Sequence, residues 1–118
     1  MKVFTHTIGD KTWDIFVGKS AKENWKLIDE SDPFDLWLHV DEYPSGHVII
    51  KERLTGKSEL EVPDYPNQII ALGADYCKSQ SKYSHIPKLK IVYTLVANLK
   101  KGKEVGSVFI SKEKFIFV

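Results

Sequence analysis

The stretch that decides the fold is residues 35–50, which read DLWLHVDEYPSGHVII. In its first six residues, Trp37 and His39 alternate with leucine and valine, and this two-residue period predicts a β-strand. Residues 43–46 contain proline, serine and glycine, which favour a turn, and residues 47–53 predict the next strand. Because so short a connection usually joins antiparallel neighbours, we expect the two strands to form an antiparallel pair.

Further strands and two helices are predicted on both sides of this pair. Ser20 followed by Glu23 is a capping box that begins a helix from Ala21 to about Ile28, and the apolar spacing of residues 65–79 predicts a second helix. Strands are predicted at residues 2–8, 12–17 and 89–95, a last hairpin at 107–110 and 114–118, and a loop at 55–58. The predicted fold class is α+β, a mainly antiparallel sheet of about seven strands with two helices on one face.

Length and composition indicate one globular domain, residues 1–118. The chain has 118 residues, of which 42% are hydrophobic and 28% charged, values that exclude a disordered or coiled-coil protein. Cys77 is the single cysteine, so an internal disulfide is excluded and a reducing, cytoplasmic location is expected. No apolar run approaches the roughly 18 residues that span a bilayer, so we expect no membrane partner.

The charges are distributed unevenly along the chain. Residues 10–42 contain nine acidic residues and four lysines, whereas residues 78–103 contain seven lysines and no acidic residue. Such asymmetry indicates an anionic partner. The alternative is that these lysines only coat a solvated face, and charge alone does not decide between the two.

Motifs for catalysis or cofactor binding are missing from the sequence. Gly18-Lys19-Ser20 lies between a strand and a helix, but Trp13 stands where a phosphate-binding loop needs glycine. His39 and His47 lie near acidic residues without a diagnostic ligand spacing. We therefore expect no catalytic residue, no metal and no cofactor.

Residues 15–24, 35–40 and 43–50 together resemble the NFACT-R domain family. The family pattern is glycine-lysine-asparagine before a helix, then D-x-W-x-H, then a turn that enters H-V, and residues 92–108 and the last strand also follow it. The resemblance covers essentially the whole chain and is closest to the single-domain eukaryotic members. Ser20 replaces the usual asparagine, and the serine and glycine of the turn are in swapped order.

The resemblance implies an RNA-binding module without catalytic activity. It implies tRNA or ribosomal RNA as the partner, with ribosomal proteins as further partners, and a role in translation or ribosome quality control. A protein-interaction or scaffold domain and a DNA-binding module are the alternatives. The candidate nucleic-acid-binding residues, from the resemblance and from the lysines, are Lys19, Asp35, Trp37, His39, Ser45, Gly46, His47, Lys51, Lys100, Lys101 and Lys103.

The turn between the two central strands carries the most specific hypothesis. We expect Ser45, Gly46 and His47 to contact RNA directly, with Trp37 supporting them from beneath and Asp35 orienting a neighbouring donor. A neutral imidazole can donate, accept or stack on a base. The competing interpretation is architectural: Asp35 and the histidines hydrogen-bond each other and hold the sheet together.

Overall fold

The computed structural model describes residues 1–53 and 60–118, and the predicted loop at 55–58 lies outside them. The described residues form two α-helices, eight strands and two short 3-10 helices, Val62–Asp64 and Val96–Asn98. The α-helices are α1, Ala21–Asp29, and α2, Asn67–Ser79. The strands are β1 Lys2–Ile8, β2 Lys11–Val17, β3 Leu36–Val40, β4 Val48–Glu52, β5 Lys90–Leu95, β6 Leu99–Lys101, β7 Val108–Ile110 and β8 Lys114–Phe117.

Six of these strands form one antiparallel sheet in the order β1-β2-β4-β3-β5-β8. The predicted central pair is confirmed, because β3 pairs with β4 and Trp37 lies opposite Ile49. Strands β6 and β7 form a separate two-stranded ribbon, called the ribbon below. The α+β class and the antiparallel sheet are therefore confirmed.

One face of the sheet packs against α2. Trp13, Ile15, Leu38 and Ile50 are fully buried on this face, in the same core as the inward residues of α2. Gly73 lies where α2 approaches the sheet most closely, since a Cβ there would come within 2.8 Å of the Ile50 Cδ1 atom. This close approach explains why a glycine is present in the middle of a helix, where it otherwise costs stability.

The other face packs against α1 and the ribbon. Trp37 and Ile49 form a second core with Leu27 of α1, and Val108 and Ile110 of the ribbon pack against it. The two helices therefore cover opposite faces, and the expectation of helices on one face is wrong. The central strands are buried on both sides, so their sequences do not indicate which face each helix covers.

The end of the chain also pairs differently from the prediction. Strand β7 pairs with β6, and β8 pairs with β5, so residues 107–110 and 114–118 do not form a hairpin. The hydroxyl of Thr94 on β5 donates to the carbonyl of Ser111 over 2.9 Å, which fixes the segment that links β7 to β8. Strand β6 was missed because it has three residues, two of them lysines. Among the described residues, no helix is long and apolar enough to cross a membrane.

Candidate nucleic-acid interface

A cleft of about 790 Å³ lies at one end of the second core. Its walls are the start of α1, the segment from β3 to β4, residues 80–82 after α2, and the turn of the ribbon at residues 104–108. It contains Lys19, Trp37, His39, Ser45, Gly46 and His47, six of the candidate residues. The structure thus brings together residues that are almost thirty positions apart in the sequence.

The first wall is the N-terminus of α1. The Ser20 hydroxyl accepts a hydrogen bond from the Glu23 N–H over 3.2 Å, which confirms Ser20 as the N-cap. The predicted capping box is confirmed only in this half, because the Glu23 side chain bonds to the residue before the N-cap. The Glu23 carboxylate accepts from the Lys19 N–H over 2.8 Å and pairs with the ammonium of Met1 over 3.0 Å. The Lys19 N–H first, and then the Met1 ammonium, lower the pKa of Glu23. These bonds fix the backbone of Lys19 and leave its side chain exposed at the rim.

Behind this wall, the backbone of His47 is held by two hydrogen bonds. The buried Asn24 side chain accepts from the His47 N–H, and the Gly18 N–H donates to the His47 carbonyl, both over 2.9 Å. A Cβ at Gly18 would collide with the Asn24 Oδ1 atom, and a Cβ at Gly46 would overlap the Gly18 carbonyl. Both glycines are therefore required by contacts within the protein.

The floor of the cleft is a group of three rings, Trp37, His39 and His47, called the ring trio below. Trp37 and His39 are stacked, with centroids 5.6 Å apart and planes 4° apart. His47 meets both rings edge-on, at centroid distances of 5.3 and 5.1 Å. Trp37 and His47 are 2% exposed, whereas His39 is partly exposed. Trp37 therefore supports the site from beneath, and His39 is the ring that a ligand can reach.

Both imidazoles of the ring trio are neutral at pH 7. Burial first, and then the neighbouring His39, lower the pKa of His47 to about 3, against a backbone contact from Gly106. Burial also lowers the pKa of His39, opposed by backbone contacts at Val40 and Ser45. Within the described residues, neither the Nδ1 atom of His47 nor the Nε1 atom of Trp37 has a hydrogen-bond partner, although both are buried.

The turn of the ribbon closes the cleft against α1. Gly106 has a φ of +90°, and a Cβ there would come within 2.9 Å of the Ala21 Cα atom. The Trp25 indole N–H donates to the Ser107 carbonyl over 3.0 Å. The sequence does not indicate that residues 104–108 line the cleft, because their position depends on contacts with α1, about 80 positions away.

Asp35 and Lys51 lie outside the cleft and pair with each other over 2.8 Å. The same Asp35 oxygen accepts from the Asp32 N–H over 2.8 Å, and the Lys51 ammonium also donates to the Glu30 carbonyl over 3.2 Å. Asp35 therefore orients the ammonium of Lys51. The hypothesis that Asp35 and the histidines bond each other is wrong.

Several lysines of residues 78–103 are engaged within the protein. Lys78 donates to the Val118 carbonyl over 3.0 Å, Lys90 lies 4.1 Å from the centre of the Phe115 ring, and Lys101 pairs with Asp29 over 2.6 Å. The absence of acidic residues from residues 78–103 of the sequence therefore does not mean that these lysines lack partners in the folded protein.

The remaining candidate lysines divide between the cleft and the ribbon. Lys100, Lys101 and Lys103 lie on the ribbon and its turn and do not line the cleft. Lys82, which sequence reasoning did not single out, does line it, as do Glu42 and Glu104. The rim of the cleft therefore carries both signs of charge.

The sequence matches the family model described as "NFACT protein RNA binding domain" over residues 2–116. Coiled-coil domain-containing protein 25 of Mus musculus is 31% identical over 111 residues, which are 92% of this chain and 51% of that protein. Protein JLP2 of Saccharomyces cerevisiae is 34% identical over 94 residues, 77% of this chain and 44% of that protein. The chain thus spans about half the length of the curated relatives it matches.

A solved structure supports the fold. The C-terminal part of the fibronectin/fibrinogen-binding protein from Streptococcus suis aligns with a TM-score of 0.73 and 24% identity, over 90% of this chain and 40% of that one. At this identity the likeness shows the fold alone. The family match over residues 2–116 confirms the resemblance found in the sequence, and the chain belongs to the NFACT RNA-binding domain family.

Proposed function

We propose that this chain is a binding module for tRNA or ribosome-associated RNA, acting in translation or ribosome quality control in the cytoplasm. Membership of an RNA-binding domain family supports RNA as the partner class. The observation that carries the site is the meeting of the α1 N-terminus, Lys19 and the partly exposed His39 in one cleft. Ribosomal proteins are the further partners that this role implies.

The cleft offers the groups that a nucleotide needs. A helix N-terminus carries a partial positive charge that attracts phosphate, and Lys19 and Lys82 supply ammonium groups at the rim. Glu42 and Glu104 also line the cleft and limit its net positive charge, so binding depends on where a phosphate meets an ammonium group. The neutral ring of His39 can hydrogen-bond to a base or ribose, or stack on a base.

The same geometry supports binding without catalysis. A general acid or base works best with a pKa near the operating pH, whereas the pKa of His47 is about 3 and that of His39 is lowered. Cys77 is buried, and its burial raises the pKa of the thiol. Among the described residues, no group of three or more His, Cys, Asp or Glu side chains could hold a metal ion.

Filter binding tests this proposal with tRNA and duplex DNA at two salt concentrations. Replacing both Lys19 and Lys82 with Glu should lower tRNA affinity and reduce the salt slope by about 2, because each phosphate contact contributes about 1. Replacing both Lys2 and Lys114 with Glu is the matched control, since it changes the net charge equally and both lysines are exposed outside the cleft. Equal affinities of the folded Lys19/Lys82 variant and the control would refute the cleft as the tRNA-binding site. Tighter binding of DNA than of tRNA would favour the DNA-binding alternative.

A further inference from the structure

The ribbon has an inner face and an outer face. Val108 and Ile110 pack against the second core, so the side chain between them, Phe109, points away from the protein. Phe109 is 68% exposed, the highest value among the exposed large hydrophobic residues of the described chain. Neither the fold nor the cleft uses this ring.

Lys100 lies directly opposite Phe109 on the outer face. The register of the ribbon pairs these two residues, and both are exposed. Paired residues on one face of a two-stranded ribbon have Cβ atoms about 5 Å apart, so the ammonium can reach the edge of the ring. Lys101 turns the other way and pairs with Asp29. Among the described residues, Lys100 has no carboxylate within ion-pair distance.

The surroundings of Phe109 favour an RNA base over a protein partner. The ribbon and its turn, residues 99–110, carry three lysines and one glutamate. Large contiguous apolar patches mark protein-docking surfaces, whereas the residue paired with Phe109 on this face is a lysine. A single aromatic ring beside an ammonium group is the arrangement on which unpaired bases stack while the neighbouring phosphate is neutralised.

We propose that Phe109 and Lys100 form a second RNA contact, at which one unpaired base stacks on the Phe109 ring and its phosphate pairs with Lys100. This contact rests on the proposed RNA-binding function and lies outside the cleft. It would make the protein prefer RNA with an unpaired segment beside the structured part that the cleft binds.

The test compares Phe109→Ala with Phe109→Leu and Phe117→Ala in the full chain. Phe117 is the matched control because it is 60% exposed on β8 and lies outside the ribbon. Affinity is measured for an oligoadenylate of about 12 nucleotides, the same oligomer with abasic sites, and a blunt RNA duplex. Stacking of one base corresponds to about fivefold to 150-fold in affinity.

The expected result is a loss of that size for Phe109→Ala and for Phe109→Leu on the oligoadenylate, with no loss for Phe117→Ala. The loss should vanish on the abasic oligomer and on the duplex. Unchanged affinity of Phe109→Ala, an equal loss on the duplex, or full activity of Phe109→Leu would overturn the stacking contact. If the wild-type chain binds none of these RNAs or tRNA, the proposed function itself fails, which is a different outcome.

Discussion

Acidification should destabilise this protein through His47. The pKa of His47 is about 3 in the folded state against an ordinary value of 6.5, so the unfolded chain binds a proton that the folded chain rejects. A depressed histidine pKa means that stability is lost as the pH falls from 6.5 toward 3. Integrating between pH 7 and pH 5 gives a loss of about 2 kcal/mol from this one residue. Burial of the ring, which is 2% exposed, is the main cause.

The assay is urea unfolding at pH 7 and pH 5, for the wild type and for His47→Phe. The phenylalanine keeps a buried ring but cannot bind a proton, so the pH-dependent loss should shrink by about 2 kcal/mol in the variant. If the variant is too unstable to measure, NMR titration of the His47 ring replaces it. A His47 signal that titrates near pH 6.5, or an undiminished pH dependence in the variant, would refute the reasoning.

Two further predictions concern the hydrogen bonds and contacts behind the cleft. Asn24→Ala should cost about 1–3 kcal/mol, because it leaves the buried His47 N–H without an acceptor, whereas the exposed control Lys22→Ala should stay within about 0.5 kcal/mol in the same urea titration. Gly46→Ala should lower the free energy of unfolding by about 3 kcal/mol, because its Cβ overlaps the fixed Gly18 carbonyl. The control Gly9→Ala, at a φ of +65° with no neighbouring atom within 4 Å, should lower it by about 1 kcal/mol. Equal losses in the two variants would contradict the overlap.

Most of the sheet could be predicted from the sequence because its strands alternate and its turns are short. The central pair and the first hairpin follow from local pattern and connection length alone. Strand β6 could not be predicted in this way, because three residues with two lysines carry no apolar alternation. The residues that pair between β8 and β5 are 21 to 27 positions apart, so the expectation of a hairpin between neighbouring segments was wrong.

The family motifs singled out residues that lie together in the fold, whereas charge counted along the sequence did not. Lys19, His39 and His47, which the family pattern singled out, line one cleft, although the sequence did not predict that they would meet. The lysines of residues 78–103 were grouped by the absence of acidic neighbours in the sequence. In the fold, however, Asp29 reaches Lys101 and Asp41 lies 3.7 Å from Lys90. Ion pairs form between distant residues, so a one-dimensional charge count cannot identify them.

The family motif around the turn between β3 and β4 contains residues that stabilise the cleft and residues that can contact a ligand. Gly18 and Gly46 are fixed by backbone contacts, and the buried His47 completes the ring trio.

Ser45 also belongs to the framework, because its hydroxyl accepts from the Val40 N–H over 3.3 Å and donates to the Gly46 carbonyl over 3.4 Å. Of the cleft residues that the family pattern singled out, Trp37 and His47 are buried. Ser45 and Gly46 are partly exposed, as His39 is, but they are engaged in contacts within the protein. The exposed Lys19 ammonium and the partly exposed His39 ring are therefore the groups best placed to contact a nucleotide. A ligand contact at Lys19 and His39 stays a prediction. The RNA-contact and architectural interpretations of the motif are therefore compatible. The glycines and His47 stabilise the fold of the cleft, and that fold positions the side chains of Lys19 and His39 for a ligand.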